Sequence, residues 1–164
     1  MDYGIMDRDG RRIALCRVDD DNWRAVADIA PRDDQRAFVA ALAARYLLLS
    51  MRGGVWHSLG VQADETMVGH VMWAYDDENG SHWIGGMVVD AAEQGKGVGR
   101  QTMVALIRWL SERAGCQEIR LSYHPDNTGA ANLYTSLGFV HTGEFEDAEP
   151  VVALRVGATG AASA

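Results

Sequence analysis

Two cysteines, three prolines and a single lysine are all that the 164 residues contain of these types. Cys16 and Cys116 are too few for a disulfide framework, so a reducing, cytoplasmic setting is expected. No Pro-rich or Ser-rich linker and no internal repeat divides the chain, which leaves room for one domain of ordinary size. Long apolar runs are missing as well. The greasiest stretch, residues 37–51, is broken by Arg45 and falls short of the ~18 residues that a membrane span needs. Residues 1–12 mix Asp with Arg and lack the apolar core of an export signal. Cationic charge is scarce: 15 Lys and Arg stand against 23 Asp and Glu, a formal −8. Such a field repels phosphate backbones, so no nucleic-acid partner is expected, nor a membrane. It attracts small cations, although an acidic surplus also serves solubility alone.

What is present is ordinary globular material, 48% hydrophobic and 23% charged, which excludes a disordered or collagen-like chain. Residues 12–18 read as a strand with Ile13 and Leu15 on one face. Asp20, Asp21 and Asn22 offer N-caps for a short helix through Trp23, Val26 and Ile29, ended by Pro31. Asp33 or Asp34 opens a longer helix, with Phe38, Val39, Leu42, Tyr46 and Leu49 at helical spacing, stopped by Gly53-Gly54. Residues 55–62 and 67–75 form strands joined by a hairpin turn, and 82–90 form a third. A glycine loop then leads into a helix over 98–113. A strand at 118–123, a helix at 128–137 capped by Gly138, and two strands at 139–145 and 151–156 complete the domain. The fold expected is therefore α/β (α+β), a mixed sheet with a parallel strand–helix–strand crossover. The domain spans 11–156, with loose termini at 1–10 and 157–164.

The most informative stretch runs from Met87, Val88 and Val89 through Asp90 into Gln94-Gly95-Lys96-Gly97-Val98-Gly99-Arg100. A strand runs into a loop, and three glycines in five residues open a helix. The first-turn amides of a helix lack intrahelical partners and carry about half a positive charge. Glycines let a phosphate come close to them. Lys96, the only lysine, and Arg100 supply mobile cations for a diphosphate. A Walker loop would need Ser or Thr after Gly-Lys, and Gly97 stands there instead. A dinucleotide fingerprint would need its third glycine one place later.

The stretch from Gln94 to Gly99 resembles the Gln/Arg-x-x-Gly-x-Gly/Ala signature of the Gcn5-related N-acetyltransferases, the GNAT superfamily. Residues 87–90 resemble its Leu-x-Val-Asp strand. Downstream, Asn127, Ala130, Leu133, Tyr134, Leu137, Gly138 and Phe139 match the second signature in type and spacing. The resemblance covers residues 12–156 and implies a single GNAT domain whose sheet is mostly antiparallel, with acetyl-coenzyme A as cosubstrate and no metal. It implies that Met87, Val88 and Val89 pair with the pantetheine arm and that residues 94–100 hold the diphosphate. It further implies that Asn127 touches the arm and that Tyr134 protonates the leaving thiolate. Family members are often dimers, so a homodimer is an option that no residue here singles out.

An acceptor amine with a pKa near ~10 is neutral in only about one molecule in 10³ at pH 7. A base is therefore needed, and a strand amide near Val89 is placed to steady the oxyanion. His124, near Asn127, is the leading candidate base, with Asp90, His82 and His70 as others. For the acceptor, residues 21–24, residues 121–127 and Thr142-Gly143-Glu144 with Asp147 resemble the bacterial spermine/spermidine (diamine) N-acetyltransferases. Asp76, Asp77 and Glu78, or Glu144, Glu146, Asp147 and Glu149, would line the path of a polycation; solvated turns are the plain alternative. Gly85-Gly86 departs from the larger or charged residues such enzymes carry there, and either widens the acceptor pocket or removes a polar contact. A small cationic amine is thus the lead acceptor. An antibiotic amine, a protein or peptide amine, or a coenzyme A-binding regulatory domain without turnover are the alternatives.

Overall fold

A computed structural model describes residues 1–157; the tail expected to be loose lies, apart from Gly157, outside them. Eight strands form one sheet: β1 (Asp2–Met6), β2 (Arg12–Arg17), β3 (His57–Ala63), β4 (Thr66–Asp76), β5 (Ser81–Val89), β6 (Glu118–Ser122), β7 (Val140–Glu146) and β8 (Glu149–Arg155). Their order is β1-β2-β3-β4-β5-β6-β8-β7. Every neighbouring pair is antiparallel except β5 and β6, which the crossover helix α3 (Val98–Ser111) joins in parallel. The other helices are α1 (Trp23–Ala27), α2 (Ala44–Met51) and α4 (Thr128–Ser136).

The main core lies between the sheet and α3. Ile13 and Leu15 of β2, Val71 of β4 and Ile84 of β5 pack there with Met103, Leu106 and Leu110. A smaller cluster holds Ile29, Ala43 and Val88, with Tyr46 and Met67 against it. Strand alternation would put Ile84 and Val88, four residues apart, on one face. They sit in different clusters because β5 bulges between them: His70 pairs with Val88 and Met72 with Gly85, leaving an extra residue on β5. The bulge uses Gly86 at φ +53, a left-handed conformation that glycine adopts without steric cost.

Two expectations from sequence need correction. Residues 2–6, expected to be loose, form edge strand β1, which pairs with β2 and is fastened by Asp7. The buried Asp7 carboxylate accepts hydrogen bonds from the amides of Asp9 and Arg11, each at 2.9 Å. The single helix expected from residue 33 to the glycine pair is also absent. A 3-10 turn at Asp33–Gln35 and irregular backbone precede the short α2. Tertiary contacts override the helical spacing here. The Ala43 amide donates to the Ile29 carbonyl at 2.9 Å, and the Ala40 amide donates to the Tyr46 hydroxyl at 3.0 Å.

Candidate active site

Strands β5 and β6 pair only at His82 with Ile119 and at Trp83 with Arg120. Beyond those two rungs they separate, and the second half of β5 keeps one edge unpaired in the middle of a sheet. The gap opens into a cleft of about 1350 Å³. The Asp90 amide donates to the Val68 carbonyl on the β4 side at 2.9 Å. Alternation along the strand therefore turns the amides of Val89 and Met87 toward the gap. An extended chain can add there as a further strand, and an oxyanion can meet a fixed donor.

At the C-terminal end of β5 the loop is built rigidly. Asp90 accepts from the Ala92 amide at 3.0 Å and so is a cap rather than a base. The Gln94 side chain donates to the Val89 carbonyl at 3.0 Å and exchanges hydrogen bonds with the Gln35 amide group at 2.7 and 3.0 Å. Gln94 thus tethers the loop to the strand end. Gly97, the N-cap of α3, sits at φ +88, where an added Cβ would also come within 3.3 Å of Arg8 Cγ. Gly95, Gly97, Val98 and Gly99 line the cleft. These open amides at the start of a 14-residue helix fit a diphosphate.

The cations differ from those expected. Lys96 Nζ is held by Glu93 at 3.1 Å, and Glu93 also binds Arg11 at 2.7 Å. Burial opposes the charge on Glu93, but the hydrogen bonds from Arg11 and Lys96 hold its carboxyl below the ordinary carboxylate range. Arg100 donates to the Ser136 hydroxyl at 2.7 Å. Neither Lys96 nor Arg100 lines the cleft, whereas Arg8 does. Its amide donates to the Lys96 carbonyl at 2.8 Å and its guanidinium to the Gly95 carbonyl at 3.1 Å. Nothing in the sequence marked Arg8, which approaches the loop only because β1 and β2 form a hairpin.

Across the gap, Asn127 caps α4, its side-chain oxygen accepting from the Ala130 amide at 3.1 Å. Two turns later Tyr134 is 92% buried, packed between Tyr123 and Phe139, and still lines the cleft. Burial, then the charge of Glu149 and the neighbouring Tyr123, push its phenol up to about 12. It keeps its proton at neutral pH.

The histidines separate clearly. His124 lines the cleft, but its Nδ1 accepts from the Asp126 amide at 3.2 Å. His70 is fully buried between the Gly86 carbonyl and the Ser58 hydroxyl. His82 is buried beside Trp73 and Tyr75 and does not line the cleft. Met87, Val88 and Val89 all line it.

Gly85 and Gly86 do not widen the pocket. A Cβ at 85 would lie 3.0 Å from the Trp56 ring, and one at 86 would lie 2.8 Å from Met72 Cε and 3.0 Å from Tyr46. Aromatic rings fill the space that side chains would take. The cleft walls carry seven carboxylates, among them Asp77, Glu78, Glu146 and Glu149, against two guanidiniums, Arg8 and Arg32. Asp147 is not among them, and Glu144 is spent on Arg120 at 2.6 Å. Among the described residues no group of three His, Cys, Asp or Glu is placed to hold a metal, and no helix is long and apolar enough to cross a membrane.

The acetyltransferase (GNAT) family model matches residues 13–139. The chain is 29% identical over 140 residues to the spermine/spermidine N(1)-acetyltransferase of Bacillus subtilis, covering 82% of this chain and 91% of that one. Among solved structures it resembles the GNAT domain of S. lividans PAT, with a TM-score of 0.71 at 16% identity, covering 94% of this chain and 96% of that one. It also resembles an aminoglycoside acetyltransferase in complex with coenzyme A, with a TM-score of 0.72 at 15% identity over 87% and 94% of the two chains.

Proposed function

The chain belongs to the GNAT acetyltransferase family, and on that premise we propose that it moves the acetyl group of acetyl-coenzyme A to a primary amine of a small, polycationic acceptor. The observation that carries this reading is the charge layout of the one continuous cleft. Arg8 and the open amides of Gly97, Val98 and Gly99 stand at the glycine loop, and the carboxylates of Asp77, Glu78, Glu146 and Glu149 belong to two hairpins away from it. An anionic diphosphate and a cationic acceptor are drawn to different parts of the same groove. The likeness to a spermine/spermidine N(1)-acetyltransferase supports the same acceptor class.

In this reading the β5 edge at Met87, Val88 and Val89 takes the pantetheine arm by strand addition. Asn127, whose side-chain oxygen is used as the α4 cap, turns its amide nitrogen to the arm. The thioester supplies the acetyl group and a thiolate leaving group. The Val89 amide steadies charge on the carbonyl oxygen under attack. Tyr134, which carries its proton at neutral pH as any phenol does, hands it to the thiolate. Thiol release from acetyl-coenzyme A across spermidine, spermine, putrescine, an aminoglycoside and a short peptide tests the reading. Saturable release with the polyamines is expected. Release with the aminoglycoside or peptide alone would move the acceptor to those amines.

A further inference from the structure

We propose that Glu149 is the carboxylate that receives the acceptor ammonium and takes its proton. The inference rests on the acetyl-transfer reading and fills the one role that reading leaves without a residue.

The placement of Glu149 follows from sheet register. Ser122, the last residue of β6, pairs with Val151 of β8. Glu149 opens β8 two residues before Val151 and so shares the face of Val151 and Ser122. The Ser122 hydroxyl donates to Glu149 Oε2 at 2.8 Å, which fixes one carboxylate oxygen and leaves Oε1 free. The tight turn at Asp147 and Ala148, both at positive φ, ends the hairpin just before it. Glu149 is half-buried, lines the cleft, and shares that wall with Tyr123 and Tyr134. Its charge is near enough to Tyr134 to disfavour a phenolate there. The titratable groups around it include Tyr134, which its charge reaches, Glu146, its exposed register partner on β7, and His124 and Tyr123, which follow Ser122 and line the same cleft. His141 lies beyond Tyr123, 3.5 Å from its hydroxyl. No cation is bonded to Glu149 among the described residues, in contrast to Glu93, Glu118 and Glu144.

The protons balance. The acceptor arrives as R–NH3⁺ and gives one proton to Glu149, which passes it to water. The neutral amine forms the N–C bond at the thioester carbonyl and the C–S bond breaks. Tyr134 protonates the thiolate and regains the proton that the nitrogen loses as the amide forms. One acid and one base on the same wall keep the two transfers in separate hands.

Glu149→Gln retains the shape and can still accept from Ser122. With spermidine at pH 7, kcat/KM is expected to fall by at least about 100-fold, with coenzyme A affinity within about twofold of the parent enzyme. At pH 9.5, where far more of the amine is already neutral, the loss is expected to shrink toward about tenfold. Ser122→Ala, which frees the carboxylate to turn away, is expected to lose a smaller factor with the same pH trend. An equal loss at both pH values marks a structural role and overturns the proposal, as does a Glu149→Gln enzyme within about threefold of the parent at pH 7. A parent enzyme that releases thiol with no amine overturns the acetyl-transfer reading beneath it.

Discussion

His70 Nδ1 donates a hydrogen bond to the Gly86 carbonyl across 2.8 Å, in the heart of the β5 bulge. A carbonyl only accepts, so the tautomer is fixed and Nε2 is left to accept from the Ser58 hydroxyl at 2.9 Å. The ring lies parallel to Tyr46, with centroids 5.6 Å apart. Burial lowers the His70 pKa from 6.5 to about 4, against the smaller opposing effect of the Gly86 bond. The folded protein therefore binds this proton less well than the unfolded chain does. Stability is full above pH 6.5 and is lost as pH falls toward 4, by up to about 3 kcal/mol from this residue. Denaturant unfolding at pH 7 and pH 4.5 should show that drop in the parent protein and a clearly smaller one in His70→Asn. Equal drops in both would remove His70 as the cause.

Gly86 is the partner in that relationship, and its backbone is the more restrictive one. At φ +53, with Met72 Cε 2.8 Å and Tyr46 3.0 Å from an added Cβ, Gly86→Ala is both strained and crowded. It should cost about 2 kcal/mol or more in unfolding free energy. The smaller strain at Gly85, which has an ordinary φ and a movable Trp56 against it, should make Gly85→Ala the milder change. Equilibrium unfolding of the two variants side by side decides the order.

Tyr134→Phe removes the phenol and keeps the ring between Tyr123 and Phe139. Turnover should fall at least about tenfold, with coenzyme A affinity unchanged. Because the phenol titrates only near 12, the rate profile of the parent enzyme should show no loss of activity from this group below about pH 10. Unchanged turnover in Tyr134→Phe would end its role as proton donor.

Arg8 and Lys96 make a paired test of the phosphate end. Arg8→Ala should weaken coenzyme A binding by about three- to tenfold, since Arg8 lines the cleft and its guanidinium holds the loop carbonyl of Gly95. Lys96→Ala should cost less, because Glu93 already holds that ammonium. The reverse ranking by calorimetry would show that Lys96 leaves Glu93 when coenzyme A binds.

What the sequence revealed was local chemistry. The glycine loop and the run from Asn127 to Phe139 are consecutive residues, so their resemblance to the family signatures pointed to two walls of the cleft and to Tyr134. The hairpin at 63–66 and the crossover strands were legible for the same reason. What stayed hidden depends on distant partners. Strand β1 is short and finds its meaning only against β2. The helix pattern after Asp33 yields to Phe38 packing on the His124 ring, with centroids 5.2 Å apart, and to the Ile29–Ala43 backbone bond. Trp56 filling the space above Gly85, Arg8 over the loop and Glu149 beside Ser122 all join residues more than 25 positions apart. The bond from the Asp126 amide to His124 Nδ1, between residues two apart in a loop, was likewise not legible from spacing.

In the proposed function the carboxylate-lined cleft selects an acceptor by its charge. The most direct measurement is kcat/KM for spermidine against butylamine, which offers the same kind of reacting amine with a single charge. A preference for spermidine of at least about tenfold at low salt is expected, shrinking as ionic strength rises and shortens the reach of the carboxylates. Equal values for the two amines, or a preference indifferent to salt, would contradict it.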